Sequence, residues 1–505
     1  MRGQHAGALC LLYAAAGLII PPVTSALRLG PCVWAQKQRS AAVTPLAALQ
    51  REGAVEFDGT PICVHAYNPG RAYVVCGRAR ARICLCELVS PESNTAGDCF
   101  YRPHSKVIRD LGVLALRVQG ARKREREGEA QGSDLTVLDA MCGSGIRALR
   151  YLQEGGAGFV LANDANDDLE PERIANLAPH LSSGRVKLST GDAVDAYFEA
   201  RRTRAFFDLI DADGFGSGAP HSAEAWWSLR LGGLLYLCST DARSAAGKNA
   251  PVAAWRGFGA VAQSMPASNE ISVRLLVADA VRQAAARGME AEPVFGVFHR
   301  QSSCARVMLR LTAAGRRGGS PALQNAVGFA AYCVATGEHW DVPLDLVQDP
   351  RAAPNCPRAA QHSALGAMAA ADAASHLRMA GPVWVASLHD AAFLREMMEA
   401  GTADGDDMSE AISMIAMMLR EVEDKLPMMY LRLREVGRFL AQHGCSDLPK
   451  KSKLMQELRR RGFRAGDAQA EAQAIKTSAH MADVVSAAKA LVEHKKGSTG
   501  FGSDR

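Results

Sequence analysis

The chain has 505 residues, of which 48% are hydrophobic and 22% charged, with 58 Lys and Arg set against 53 Asp and Glu. That balance excludes a disordered or fibrous chain and leaves room for roughly three domains of ordinary size. A net charge of +5 permits a basic surface for a polyanion without demanding one. The 13 cysteines are scattered and include no Cys-x-x-Cys pair. They read as reduced thiols, not as a disulfide framework or a zinc knuckle.

The first acid is Glu52, and Arg2, Arg28, Lys37, Arg39 and Arg51 precede it. Ala8 to Ile20 is an apolar run of signal-peptide length, broken at once by Pro21-Pro22 and too short for a membrane span. Leu27 to Gln50 is basic, Ala-rich, Ser-containing and acid-free, as transit peptides are. Residues 1–50 are therefore expected to be a targeting leader. Its two parts resemble the bipartite leaders of plastid proteins in algae with secondary plastids, and a mitochondrial leader is the alternative.

After the leader, residues 120–134 are charged and Gly-containing and are expected as an exposed loop. Short apolar runs predict strands at Thr136–Met141, Phe159–Ala162, Val186–Leu188, Phe207–Asp211, Gly233–Ser239, Glu292–Val297 and Ala305–Leu311. Helical segments such as Ile146–Gln153 and Ala280–Gly288 fall between them. Such alternation predicts an α/β fold with a mostly parallel, doubly wound, Rossmann-like sheet over residues 51–320. A punctuated linker at 312–324 precedes a smaller C-terminal α+β domain over 325–490, with a disordered tail expected at 491–505. Helical periodicity dominates from Asp390 to Ala441, and Leu431–Phe463 reads helix–turn–helix. The basic runs Lys450-Lys451-Ser452-Lys453 and Arg459-Arg460-Arg461 read either as a solvated helix face or as a phosphate-contacting surface.

The stretch Val137-Leu138-Asp139-Ala140-Met141-Cys142-Gly143-Ser144-Gly145-Ile146-Arg147 carries the most chemistry. An apolar run ends in an acid, and a Gly-x-Gly turn then opens a helix. Glycines allow the sharp turn and a close ligand approach, and a helix N-terminus offers unpaired N–H groups. A dinucleotide reading stays open, because Ala148 stands where a third glycine would. The next strand ends at Asn163-Asp164, where an acid can bond ribose hydroxyls of S-adenosylmethionine or of NAD. The third ends at Gly191-Asp192-Ala193, where an acid suits the adenine amine. Three strand-end acids in order, Asp139, Asp164 and Asp192, favour a class I methyltransferase, although each acid alone also reads as a helix cap.

The fourth strand runs Phe207-Asp208-Leu209-Ile210-Asp211-Ala212-Asp213-Gly214-Phe215-Gly216-Ser217. It sets acid–x–acid–Gly–aromatic–Gly at the carboxyl end of the sheet, where open α/β folds bind ligands. Here the chain resembles the tRNA (guanine-N2)-dimethyltransferase family, whose members methylate guanine 26 and whose loop runs acid–x–Asp–Pro–aromatic–Gly–Ser. The resemblance extends along most of the mature chain, from Phe100-Tyr101-Arg102-Pro103 and Arg109-Asp110-Leu111-Gly112-Val113 through Gly145-x-Arg147-x-x-Arg150 to Thr240-Asp241 and Gly247. Arg274-Leu275-Leu276, Gly381-Pro382-Val383-Trp384 and Ile475-Lys476-Thr477 continue it in order.

The resemblance implies S-adenosyl-L-methionine as cofactor, tRNA as partner, and methylation of the guanine N2. No membrane association after leader removal and no obligate protein partner are expected. It implies that Asp213 accepts hydrogen bonds from N2, with Asp211 as a second candidate or as a loop support. Phe215 and Phe100 would sandwich the flipped base, unless Phe100 belongs to the core. Arg109 and Arg147 would hold the methionine carboxylate of a cofactor cradled by Asp139, Gly143 and Gly145. Asp164 would take the ribose, and Asp192 with the backbone at Ala193 the adenine. The chain departs from the family at Gly214 for proline, and at Ile108 and Arg102 for asparagines, and residues 57–98 read as an insertion. Gly214 is expected to loosen its loop. These departures also leave open a catalytically impaired tRNA-binding protein, or a methyltransferase acting on another RNA guanine. Cys333 and Cys356 each stand alone where many relatives have cysteine pairs, so no metal is expected.

Overall fold

A computed structural model describes residues 53–57, 60–64, 71–76, 79–84, 102–127, 134–313, 325–344, 376–402, 408–445 and 447–499. The leader, Phe100, Cys356 and nearly all of the 312–324 linker lie outside the described residues. All described residues belong to one compact unit, Arg51–Arg505. Its N-terminal part, expected as an insertion, holds two antiparallel hairpins, Gly53–Phe57 with Thr60–Val64 and Arg71–Cys76 with Ala79–Cys84.

The centre is a sheet of seven strands: β1 (Leu135–Asp139), β2 (Ala157–Asp164), β3 (Val186–Thr190), β4 (Phe207–Ala212), β5 (Leu229–Ser239), β6 (Glu290–His299) and β7 (Cys304–Thr312). All seven expected strands form. Their order is β6-β7-β5-β4-β1-β2-β3. Neighbours from β3 to β5 pair in parallel, and β7 enters antiparallel between β5 and β6. The runs LTVLD and FDLIDA are almost wholly buried, as strands covered on both faces must be. Chain order reverses between β1 and β4, and that switch point brings the carboxyl ends of β1, β2, β4 and β5 around one crevice.

Helices α1 (Lys106–Glu127), α2 (Ile146–Gln153), α3 (Glu170–Ser182), α4 (Ala193–Thr203) and α5 (Ser268–Ala285) accompany the sheet. Two depart from expectation. Helix α1 continues through the first half of the expected 120–134 loop, because Lys123 is buried there and reaches Asp208 at 3.3 Å. Its charge marks an internal partner, not solvent. Helix α5 begins 12 residues before the predicted Ala280. It is buried nearly all round, from Ile271 to Ala284, so no polar face reveals its period.

Beyond residue 325, Val327–Cys333, His339–Pro343 and Leu377–Trp384 form a second sheet that also takes in Val261–Ala262 from the first part of the chain. Helices α6 (Ala391–Thr402) and α7 (Ser409–Glu423) put Phe393, Leu394, Met397 and Ile415 into one apolar cluster with Leu111 and Leu114 of α1. Helices α8 (Leu433–Gln442), α9 (Lys451–Arg460) and α10 (Met481–Thr499) surround their own core on a three-stranded sheet. Helix α10 carries on to Thr499, where a disordered tail was expected from 491, and Val492 anchors it in that core beside Val484 and Ala488.

Lys476, the centre of the Ile-Lys-Thr motif, is buried and binds Glu270 of α5 at 3.1 Å and Glu421 of α7. Arg274 adds a 2.9 Å bond to Glu270. Burial alone would raise the Glu270 pKa, but Lys476 and Arg274 outweigh it and hold it at about 2. This motif is thus a lock between segments. No helix among the described residues is long and apolar enough to cross a membrane.

Candidate active site

A cleft of about 620 Å3 opens at the carboxyl edge of the sheet, within the roughly 300–1,000 Å3 usual for small-molecule sites. One end is built from the β1–α2 turn. Gly143 and Gly145 take positive φ values of 54° and 83°, a conformation that favours glycine. Gly145 also packs closely, since a Cβ there would stand 3.0 Å from Leu177. The Gly143 N–H donates to Asp164 Oδ2 at 2.7 Å, and the Asn166 N–H donates to Oδ1 at 2.9 Å. Both Asp164 oxygens are oriented this way, and each keeps a lone pair for a ligand. Asn163 ties this edge together by donating to the carbonyls of Ala140 and Gly191.

Not every sequence candidate faces this end. Asp164, Gly143 and Arg109 line the cleft with Ala165, Asn166, Ile146 and Leu169. Asp139 lies beneath it, fully buried, and accepts from the Ala148 N–H at 3.0 Å. Burial, then the charge of Asp211, raises its pKa well above the carboxylate range. Gly145 shapes the turn without lining the cleft. Asp192 and Ala193 lie outside the lining: the Asp192 side chain caps α4 by accepting from the Val194 N–H at 2.7 Å. The cap uses Oδ1 of an exposed side chain, and Ala165, Asn166 and Leu169 stand at the β2 edge of the cleft.

The other end is built from β4, β5 and β7. Asp213 lines the cleft with a side chain 29% exposed. Two buried guanidiniums grip the same oxygen: Arg147 binds Oδ2, and Arg306 binds it at 2.6 Å. Burial would raise the Asp213 pKa, but Arg147 and Arg306 more than offset it and hold the carboxyl far below its usual range. Asp211 is fully buried, accepts from Arg147 at 3.1 Å and Tyr151 at 2.7 Å, and does not line the cleft. It orients Arg147 and supports the loop. Arg147, expected at the cofactor carboxylate, lines the cleft while ion-paired to these two acids, and Arg109 lines it as the other expected partner of that carboxylate.

Phe215 lines the cleft and is 69% exposed, an unusual position for a large apolar ring without a ligand. Its loop is pinned to the end of β5, where the Gly216 N–H donates to Thr240 Oγ1 at 2.7 Å and the Thr240 N–H donates to the Gly216 carbonyl at 2.8 Å. Gly214 packs under Met141, since a Cβ there would stand 2.8 Å from its sulfur. The expectation of a loosened loop meets a filled space. Cys238 and Cys304 complete this wall. Cys238, more than any other neighbour, lowers the Cys304 thiol against the opposing effect of burial.

Arg306 and the cysteines were missed from sequence. The available signal at Arg306 was a cation in the otherwise apolar first half of the strand Cys304–Thr312, whose other cation is Arg310; a buried cation calls for a buried acid opposite. Chemically, the cleft joins an oriented hydroxyl acceptor, a glycine turn and an arginine at one end. At the other it holds a carboxylate kept ionised by two guanidiniums, beside an exposed aromatic ring.

Known proteins resemble this chain in sequence and in fold. The sequence pattern of the N2,N2-dimethylguanosine tRNA methyltransferases matches residues 80–489. The tRNA (guanine(26)-N(2))-dimethyltransferase of Aeropyrum pernix is 27% identical over 401 residues, covering 77% of this chain and 89% of that protein. The Caenorhabditis elegans protein of the same name is 24% identical over 419 residues, 76% of each chain. The structure of Trm1 from Pyrococcus horikoshii in complex with S-adenosyl-L-methionine superposes with a TM-score of 0.63 at 21% identity, covering 82% of this chain and 99% of that one.

Proposed function

The chain belongs to the N2,N2-dimethylguanosine tRNA methyltransferase family, and on that footing we propose that it moves methyl groups from S-adenosyl-L-methionine to the exocyclic N2 of guanine 26 in tRNA, mono- then dimethylating it. The observation that carries this reading is that Asp213 and the exposed ring of Phe215 line the same cleft as Asp164 and the glycine turn.

The residues at the glycine-turn end fit the cofactor by their chemistry. The spare lone pairs of Asp164 suit ribose hydroxyls, Ile146 and Leu169 offer apolar surface, and the Arg109 guanidinium matches a carboxylate. When bound, S-adenosyl-L-methionine supplies an electrophilic methyl group on a sulfonium. The chain's own part is to place the nucleophile. Phe215 gives a flipped guanine a stacking face. Asp213 accepts hydrogen bonds from the N2 amine and fixes its direction.

Because Arg147 and Arg306 keep Asp213 ionised, its work is orientation and charge stabilisation more than strong basicity. The amine acidifies once it is alkylated, so a weakly basic carboxylate suffices to receive the proton. Asp211, Tyr151 and Arg147 hold that carboxylate still. Phe100 would supply the second stacking face.

The acid-free, two-part N-terminal segment supports import into a plastid, with the mitochondrion as the alternative destination. The direct test of the activity is incubation with labelled S-adenosyl-L-methionine and tRNA, followed by mass spectrometry of digested nucleosides. Methylated guanosine from position 26 is expected. Cofactor binding without methyl incorporation would sink the proposal.

A further inference from the structure

A second cleft, about 660 Å3, lies beside the first and shares Ser303 with it. The β6–β7 turn is the divider. Arg300 lines the second cleft, Ser302 and Cys304 line the first, and Ser303, at φ 47°, lines both. Six cations line this groove: Arg243, Lys248 and Arg300 from the sheet domain, and Arg432, Arg434 and Arg438 from the start of the last core. Among the described residues, only two carboxylates face them, Glu435 and Glu471. Glu471 pairs with Arg432 at 3.3 Å, and Glu435 pairs with Arg438 at 2.9 Å and Arg434 at 3.7 Å. Among the described residues, Arg243, Lys248 and Arg300 have no acidic partner, and all three are exposed.

Most of the basic runs of α9 differ. Arg460 and Arg461 share Glu457 at 2.8 Å, Arg459 bonds the Ala465 carbonyl, and Lys451 pairs with Asp467 at 2.6 Å, whereas Lys450 and Lys453 are exposed without an acidic partner among the described residues. None of these residues lines either cleft.

We propose that this groove, rather than the α9 basic runs, holds the sugar–phosphate backbone of the tRNA next to the target nucleotide. The inference rests on the proposed tRNA substrate and adds which surface carries it. A single small anion would need one buried, convergent pocket. Exposed cations from two parts of the fold, strung along an open groove, suit a chain of phosphates instead. The shared wall at Ser303 then lets one nucleotide leave the backbone track and enter the cleft of Asp213.

The test is tRNA affinity against salt concentration for the full chain. Replacing Lys248→Ala with Arg300→Ala is expected to weaken tRNA binding at least about tenfold and to reduce the log–log salt slope by about 2. Affinity for S-adenosyl-L-methionine and the melting temperature should stay at wild-type values. If the wild type methylates tRNA and this variant keeps wild-type affinity and slope, the groove falls and the functional reading stands. The groove falls equally if Arg460→Ala with Arg461→Ala lowers the slope and the groove pair does not. If the slope depends on the groove but no tRNA is ever methylated, the functional reading falls and the groove stands.

Discussion

The two ends of the active-site cleft are built by different physics. At the glycine-turn end, the Asp164 carboxylate is oriented by backbone amides, that of Gly143 in the turn and that of Asn166 two residues beyond Asp164. At the Asp213 end, carboxylates are held by buried guanidiniums, and one of them arrives from a strand far along the chain. Backbone amides orient an acid at little cost and leave it free to bond a ligand. Paired arginines hold an acid ionised in a desolvated place, and each partner then depends on the other, because a buried charge left alone is costly. The first end suits recognition of hydroxyl groups. The second suits fixing a poor nucleophile in one direction.

The sharpest way to break that contrast is Asp213→Asn. It should lower kcat by about 100- to 1,000-fold, in the range of a lost catalytic carboxylate, while cofactor affinity stays near wild type. Single-turnover kinetics with equilibrium cofactor binding would separate the two, and an equal loss of both would erase the distinction between the ends. Next is Arg306→Met, which removes half of the grip on Asp213. Breaking a buried pair costs about 3–5 kcal/mol of stability, read by denaturant titration.

That variant also carries a pH signature. Arg306 lowers the Asp213 pKa, so its removal must raise it, and the acid limb of kcat/KM should move to higher pH. Arg306→Lys should move the limb part of the way back. An acid limb left in place by Arg306→Met would mean that the limb belongs to another group.

Asp164→Asn should act mainly on binding. Losing a charge-assisted acceptor for a hydroxyl is worth about 1.5–3 kcal/mol, seen as a rise in the cofactor Kd with kcat changed less. The smallest effect is expected at Gly214. Gly214→Pro stiffens the loop but meets the Met141 sulfur. Alone it should be neutral or slightly harmful in kcat. Combined with Met141→Ala it should improve by a few-fold at most, consistent with about 0.4–1 kcal/mol of chain stiffening. Additive behaviour in that double-mutant cycle would mean the two side chains do not compete for the same space.

These differences explain what could be read in advance. The glycine turn, Asp164 and the strand carrying Asp211 and Asp213 are local patterns: an apolar run, an acid, a glycine. Their positions hold in the fold. At Asp192 the same reasoning separates two roles less well, because a strand-end acid followed by a helix is also an N-cap, and Oδ1 of Asp192 makes that cap. Arg147 reads in sequence as a ligand for the cofactor, and its ion pairs with Asp211 and Asp213 could not be read there. Lys123 and the tail of α10 were read as exposed because charge and small residues resemble solvent-facing sequence. Their partners, Asp208 and the last hydrophobic core, lie elsewhere in the chain.

By itself the sequence determined the strand–helix alternation, the seven strands, the glycine turn and the acid-bearing fourth strand, because each rests on a periodicity or a turn whose cause is within a few residues. The tertiary structure alone decided which acid faces the cleft, which arginines hold Asp213, and where the unpaired positive charge gathers. Those are sums over distant segments: a charge is paired or free only once burial and its neighbours are known, and no short stretch of chain contains that information.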